Sequence, residues 1–259
     1  MLPGAEMLFG GAKVSAKSYV KNGLIGLWDG IENVGYGKHS GNTLVWKNLG
    51  SLGSAYDATR LTQAQAWTEN GAIFHYGSID WVFEIPGYLM RDIMGSEWSY
   101  ELVFTPGLEW MQNRSFSGIF GNHGSGKGIV GGQVGASGPD KFSFSLYYPG
   151  VSLWDASISE NFSLHQIASV SMSASNSWHS ATIYKDGASV AVADDVDVEL
   201  TFDREGTYIG SAFFGRNPGE GGRVFDGTIH CVRVYNRPIT ASEVEKNHKI
   251  DVKRFGGFR

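Results

Sequence analysis

The segment Gly121-Asn122-His123-Gly124-Ser125-Gly126-Lys127 meets the first seven positions of a phosphate-binding loop, in which backbone N–H groups cradle phosphate and the lysine reaches it. The eighth position fails. Residue 128 is Gly, so the Mg²⁺-ligating hydroxyl is missing, and Ile129-Val130-Gly131-Gly132 is a poor start for a helix that would aim its dipole at phosphate. The segment therefore reads as a hairpin loop. Glycoside hydrolysis would need two carboxylates about 5 to 9.5 Å apart across one sugar. Glu97 and Glu101 are four residues apart on an expected strand, about 13 Å at the usual rise, which is too far for a direct pair. Asp195, Asp197 and Glu199 share one strand face and read as a solvated edge whose like charges deter aggregation. That stretch also lacks the Asp-x-Asp-x-Asp-Gly order of a calcium loop. The seven histidines show no His-Glu-x-x-His pair and no zinc spacing, so they are expected to face solvent. There is no Gly-x-Ser-x-Gly nucleophile elbow. Cys231, the single cysteine, has no partner for a disulfide or a thiolate cluster and is expected to be a small buried hydrophobe. Taken together, these residues predict a chain that is not an enzyme and needs no cofactor, with the metal question left open.

What remains for chemistry is aromatic. Trp110, Tyr147, Tyr148, Trp154 and Trp178 lie beside turn signals or opposite the apolar face of a strand, where a ring could stack on a sugar or a partner. The elements that would position them are short strands. Phe142, Phe144 and Leu146 alternate with Ser143 and Ser145; Ala168, Val170, Met172 and Ala174 alternate with Ser169, Ser171 and Ser173; Val196, Val198, Leu200 and Phe202 alternate with Asp197, Glu199 and Thr201. One dry face and one wet face per strand is the pattern of antiparallel sheets. Asp186-Gly187 reads as a two-residue hairpin turn between Ala181-Tyr184 and Ser189-Val192. Thr240-Ala241-Ser242-Glu243 is a capping box that starts one C-terminal helix. Lys13, Lys17 and Lys21 recur at intervals of four, so a short N-terminal helix would place them on one face.

Composition agrees with a β-rich fold. There are 36 glycines and 13% aromatic residues in 259, with 18% charged, which suits turns and pleated surfaces. The net charge of −5 offers no global basic field for nucleic acid. No run of 18 apolar residues occurs, so no membrane span is expected. The start, Met1-Leu2-Pro3-Gly4-Ala5-Glu6, lacks the basic and apolar regions of a secretory signal, and folding in the cytoplasm is expected.

The C-terminal third carries a resemblance. Tyr184-Lys185-Asp186-Gly187, Tyr208-Ile209-Gly210, Phe225-Asp226-Gly227 running through Val232-Arg233-Val234-Tyr235-Asn236-Arg237, and the capped Thr240 helix follow one another in the order found at the end of laminin-G-like domains. These belong to the concanavalin A-like lectin and glucanase superfamily. Leu24-Ile25-Gly26-Leu27-Trp28 is similar to that family's opening strand and Trp98 to Phe104 to its central strand. The resemblance implies an all-β, two-sheet antiparallel sandwich, a concanavalin A-like jelly roll with one short C-terminal helix. It implies binding of glycans or proteins, and in many members calcium near the rim, although no ligand set can be matched here. The Glu-x-Asp-x-x-Glu run of the family's glucanases is absent. Met7 to Lys13, Ser18 to Leu24 and Trp28 to Asn33 are also similar to N-termini of laminin-G-like proteins in prophages of gut bacteria.

The organisation expected is an attachment arm over residues 1–22, a laminin-G-like jelly roll over 23–253 and a tail over 254–259. The function expected is a non-catalytic glycan-binding or cell-surface-binding module of a phage or phage-like particle. It would be located on the virion or outside the cell after cytoplasmic folding. Its partners would be a glycan or bacterial surface ligand, virion proteins through the arm, and further copies of itself if it oligomerises, with no nucleic acid. Contacts are expected from rim loops, at Tyr148, Trp154, Trp178, Phe213, Phe214, Arg216 and Asn217. The alternatives are a purely structural virion component without a ligand and a polysaccharide-active enzyme.

Overall fold

A computed structural model of the chain describes residues 14–60, 62, 67–75, 82–89, 97–109, 118–121, 128–134, 141–148, 151–159, 162–163, 166–175, 180–194, 206–211 and 224–258. These residues form two antiparallel sheets. The first is ordered β14 (Ala188–Asp194), β13 (Ser180–Lys185), β12 (Ala168–Ser175), β7 (Trp98–Pro106), β16 (Gly227–Tyr235), β5 (Gly71–Phe74) and β4 (Trp67–Thr68). β1 (Leu24–Asp29) pairs with residues 231–235 of β16, beyond the part that β5 occupies. The second sheet is ordered β11 (Val151–Ser159), β10 (Lys141–Tyr148), β9 (Gly128–Val134), β8 (Gly118–Gly121), β15 (Thr207–Ile209), β6 (Phe83–Ile85), β3 (Ala58–Arg60) and β2 (Val45–Trp46).

Two of the three alternating runs are strands, β10 and β12; the third, Val196 to Phe202, lies outside the described residues. Asp186-Gly187 joins β13 to β14 with φ of 48° and 84°. Both values are left-handed, as a primed hairpin turn requires and as Asp followed by Gly tolerates. The phosphate-loop reading fails as foreseen, because residues 128–134 continue as strand β9 and not as a helix.

The core lies between the sheets. Trp28, Leu102, Phe104, Val232 and Val234 of the first pack with Phe83, Ile85, Ile119, Phe120 and Ile209 of the second. Rings meet edge to face, as in Trp46–Phe83 at 5.5 Å and Phe104–Phe225 at 5.8 Å between centroids. Each such pair adds about 0.5 to 1.5 kcal/mol beyond the area it buries.

The outer face of the first sheet is covered too, which is why β7 is buried along nearly its whole length. The cover is helix α1 (Ala241–Phe255) together with residues 14–22. The capping box forms: Thr240 Oγ1 accepts from the Glu243 N–H at 3.3 Å, and Glu243 Oε2 accepts from the Thr240 N–H at 3.0 Å. Arg237 then grips Glu243 through Nη1 and Nη2 at 2.9 and 2.7 Å. The hydrogen bonds from Arg237, first among its partners, hold the Glu243 carboxyl down at about 2.

The N-terminal α-helix that would place the lysines on one face does not form over residues 14–22. Ser15 caps a single 3-10 turn at Ala16–Ser18, Lys13 lies outside the described residues, and Ala16, Tyr19 and Val20 are buried under α1. Tyr19 Oη donates to Asp251 Oδ1 at 2.7 Å, and the Val20 N–H donates to Asn247 Oδ1 at 3.0 Å. Apolar residues set the course of the chain here, and Lys17 and Lys21 are left exposed. From Val14 onward, the stretch expected as an arm packs with the helix layer.

Candidate functional site

The layer beneath α1 is ionic. Arg233 of β16 is buried, with Nε donating to Glu101 Oε2 at 2.7 Å, and Nη1 and Nη2 donating to Asp251 Oδ1 and Oδ2, each at 2.7 Å. Asn247 Nδ2 donates to Glu101 Oε2 at 2.7 Å and to Tyr235 Oη at 2.9 Å. Burial pushes the Glu101 carboxyl up while Arg233 pulls it down. Burial opposes the Arg233 charge, but Asp251 and Glu101 together hold the guanidinium firmly protonated. Glu101 is thus spent on structure, and Cys231 beside it is buried, as expected.

The same network continues toward the surface through Arg254. Its Nη2 donates to Asp29 Oδ1 at 2.7 Å, and the Ile31 and Glu32 N–H groups donate to the same oxygen at 3.1 and 2.9 Å. Burial raises the Asp29 carboxyl to about 6, against the pull of Arg254. This anchors the turn after β1 to the last turn of α1.

At that junction opens a cleft of about 690 Å³, within the range of ligand sites. Four stretches line it: Val14 and Ser15; Ile31, Glu32, Gly37 and His39; Glu69 and Asn70; Lys253 and Arg254. Glu32 is its scaffold. Burial alone would raise this carboxyl, but the Ala16 N–H at 2.9 Å, the Gly37 N–H at 3.0 Å and Ser15 Oγ at 3.2 Å donate to it and hold it below the usual range. His230 fixes the turn between β4 and β5. Its Nδ1 contacts the Asn70 carbonyl oxygen at 3.0 Å, so that nitrogen carries the proton, and Nε2 accepts from Thr105 Oγ1 at 2.8 Å. Burial lowers its pKa to about 4. His230 therefore departs from the expectation that the histidines face solvent: it lies on a central strand, and both ring nitrogens are satisfied inside.

The remaining polar groups of the cleft are uncommitted. His39 uses Nδ1 on the Ile31 carbonyl at 3.1 Å and leaves Nε2 open. Among the described residues, the Glu69 carboxylate, the Asn70 side-chain amide and the Lys253 ammonium have no protein partner, and all three residues are exposed. Donors and acceptors therefore both face a cleft whose lining also includes Val14 and Ile31. A hydroxyl group both donates and accepts, so the lining suits a polyhydroxylated ligand. Among the described residues, no group of three His, Cys, Asp or Glu side chains could hold a metal ion.

Of the aromatic candidates, Tyr148 and Trp154 fall on one hairpin: Tyr148 ends β10 opposite Val151, and Trp154 of β11 pairs with Leu146. Trp178, Phe213, Phe214, Arg216 and Asn217 lie outside the described residues. The cleft itself is absent from the sequence reading. Its lining comes from positions 14–15, 31–39, 69–70 and 253–254, and no local motif links them.

A family model of the concanavalin A-like lectin/glucanases superfamily matches residues 92–245, more than half of the chain. No curated protein matches the sequence. The fold is similar to that of a Trypanosoma rangeli sialidase in complex with sialic acid, with a TM-score of 0.57 and 16% identity over 92% of this chain and 34% of that one. A mutant of that sialidase displaying trans-sialidase activity gives 0.55 and 16% over 90% and 34%. The Ruminococcus gnavus IT-sialidase CBM40 bound to α2,3 sialyllactose gives 0.44 and 10% over 59% and 83%. At these identities the likeness is one of fold, and this chain spans about a third of the length of the sialidase chains. It nevertheless corrects one expectation. The fold occurs within sialidase chains, one of them a mutant with trans-sialidase activity, so the reading of this chain as not an enzyme is withdrawn.

Proposed function

Because the chain belongs to the concanavalin A-like lectin/glucanases superfamily, we propose that it is a lectin-like module that binds glycans and that the cleft beside the end of α1 is a binding site. The observation that carries this reading is the set of uncommitted groups on the cleft wall: His39 Nε2 and the Glu69 carboxylate as acceptors, Lys253 as donor and Asn70 as both. The β10–β11 hairpin with Tyr148 and Trp154 is a second contact surface in this proposal, together with Trp178, Phe213, Phe214, Arg216 and Asn217. Glycan-array binding by the wild-type chain tests it, alongside Glu69→Ala/Asn70→Ala in the cleft and Trp154→Ala on the hairpin. A glycan whose signal falls in the cleft variant supports the cleft assignment. Unchanged binding in the cleft variant removes the cleft, and unchanged binding in Trp154→Ala removes Trp154.

The likeness of residues 7–13, 18–24 and 28–33 to prophage laminin-G-like N-termini supports a place on a phage or phage-like particle, exposed to glycans once outside the host cell. Immunogold labelling of particles induced from a host that encodes the chain tests this placement. Label confined to the soluble fraction would reject it.

A further inference from the structure

We infer that the cleft, taken as the glycan site proposed above, is built for an anionic glycan. Lys253 lines it, and Lys17, Lys21 and Lys38 belong to the stretches next to its lining. Lys17 and Lys21 hold their ammonium groups 5.2 and 5.5 Å from the centre of the Tyr36 ring. Tyr36 adjoins Gly37 of the cleft lining, exposed Lys38 follows it in the chain, and exposed Lys253 belongs to the lining itself. Lys17, Lys38 and Lys253 make no ion pair among the described residues, and Lys21 Nζ donates only to neutral oxygens, Ala16 O at 3.0 Å and Tyr36 Oη at 3.3 Å.

The carboxylates nearby are mostly spoken for. Glu32 accepts from two backbone N–H groups and Ser15, and Asp29 accepts from Arg254. That leaves Glu69 as the exposed carboxylate of the lining. The excess of cations is a property of this layer. Among the described residues, 14–39 and 233–258 contain nine of the 21 Lys and Arg but only five of the 26 Asp and Glu, in a chain of net charge −5. A local basic rim on an otherwise acidic protein draws anionic ligands to one place and repels them elsewhere. Val14 and Ile31 on the cleft wall, beside uncommitted hydrogen-bonding groups, favour a sugar chain over a bare polyanion.

The test is isothermal titration of the full chain with matched oligosaccharides. Oligogalacturonate supplies carboxylates, a heparin-derived oligosaccharide supplies sulfates, a neutral galacto-oligosaccharide of equal length is the uncharged arm, and single-stranded DNA is the bare polyanion. At about 50 mM salt, at least one anionic oligosaccharide is expected to bind about tenfold tighter than the neutral one, with the advantage shrinking at about 500 mM. The arm that binds tells carboxylate from sulfate. Lys17→Ala/Lys38→Ala/Lys253→Ala should lose about tenfold toward that ligand and keep the wild-type thermal midpoint. Equal binding of neutral and anionic sugars, or an unchanged affinity in the triple variant, overturns the inference and leaves the glycan reading standing. DNA binding as tight as the best sugar also overturns it. No binding of any sugar here or on a glycan array overturns both.

Discussion

Arg233 is the point at which the helix layer is held to the sheet, and replacing it with methionine isolates what that connection contributes. The side chains of Arg233, Glu101 and Asp251 are 1%, 1% and 0% exposed. Arg233→Met keeps the apolar volume but leaves two carboxylates buried without their cation. Removing one partner from a buried ionic group costs about 3 to 5 kcal/mol, a large part of the total of about 5 to 15 kcal/mol for a typical domain. Neutralising the orphans should restore much of it, so Arg233→Met/Glu101→Gln/Asp251→Asn should recover at least half the loss. The pH dependence has a definite sign. In the single variant the Glu101 carboxyl, already raised by burial, loses the downward pull of Arg233, and a raised carboxyl favours the folded state as pH falls. The deficit of Arg233→Met should therefore shrink between about pH 7 and pH 5. Urea unfolding followed by tryptophan fluorescence measures this, since Trp28, Trp46 and Trp98 are buried. A loss below about 1 kcal/mol at pH 7, or a triple variant as unstable as the single, would refute the reasoning.

Tyr19→Phe removes the donor to Asp251 Oδ1 at 2.7 Å and should cost about 1 to 3 kcal/mol; deleting residues 1–22 should lower the thermal midpoint far more than deleting 1–13. Acid stability should show two opposing contributions. His230, at about 4 when folded, adds about 3 kcal/mol that is present above its unfolded value near 6.5 and lost as pH falls toward 4. Asp29, at about 6, does the reverse and returns about 3 kcal/mol as pH falls from about 6 toward 3.8. Asp29→Asn should consequently expose a steep acid loss that the wild type masks, and an unaltered stability profile from pH 7 to 4 would contradict the pairing. Thr240→Ala breaks the capping box of α1 and should cost about 1 kcal/mol in chemical denaturation.

Much of the sandwich is legible because short-range signals specify it. Period-two alternation marks β10 and β12, the left-handed demand of Asp186-Gly187 marks the β13–β14 hairpin, and the Thr240–Glu243 reciprocity marks the start of α1. The second covered face of the first sheet is not legible in the same way. Ser99, Glu101 and Arg233 look like outward polar positions, and only partners far along the chain turn them inward: Arg233 lies 132 residues from Glu101, and Tyr19 lies 232 from Asp251. The N-terminal lysines misled for the same reason, since Tyr19 and Val20 find their apolar cover in residues far along the chain, on β16 and α1. The cleft is a product of that layer and shares its opacity. The acid–amide step Glu69-Asn70 in a tight turn carries no signal until His230 and α1 are placed beside it.

The central claim is that this chain binds glycans through the cleft beside the end of α1. Saturation-transfer NMR with a glycan selected from an array, run on the wild-type chain and on Glu69→Ala/Asn70→Ala, tests it most directly. The account predicts transfer to the sugar ring protons in the wild type and its loss in the variant, with the variant's thermal midpoint unchanged. Equal transfer in both proteins, or none to any arrayed glycan, would contradict it.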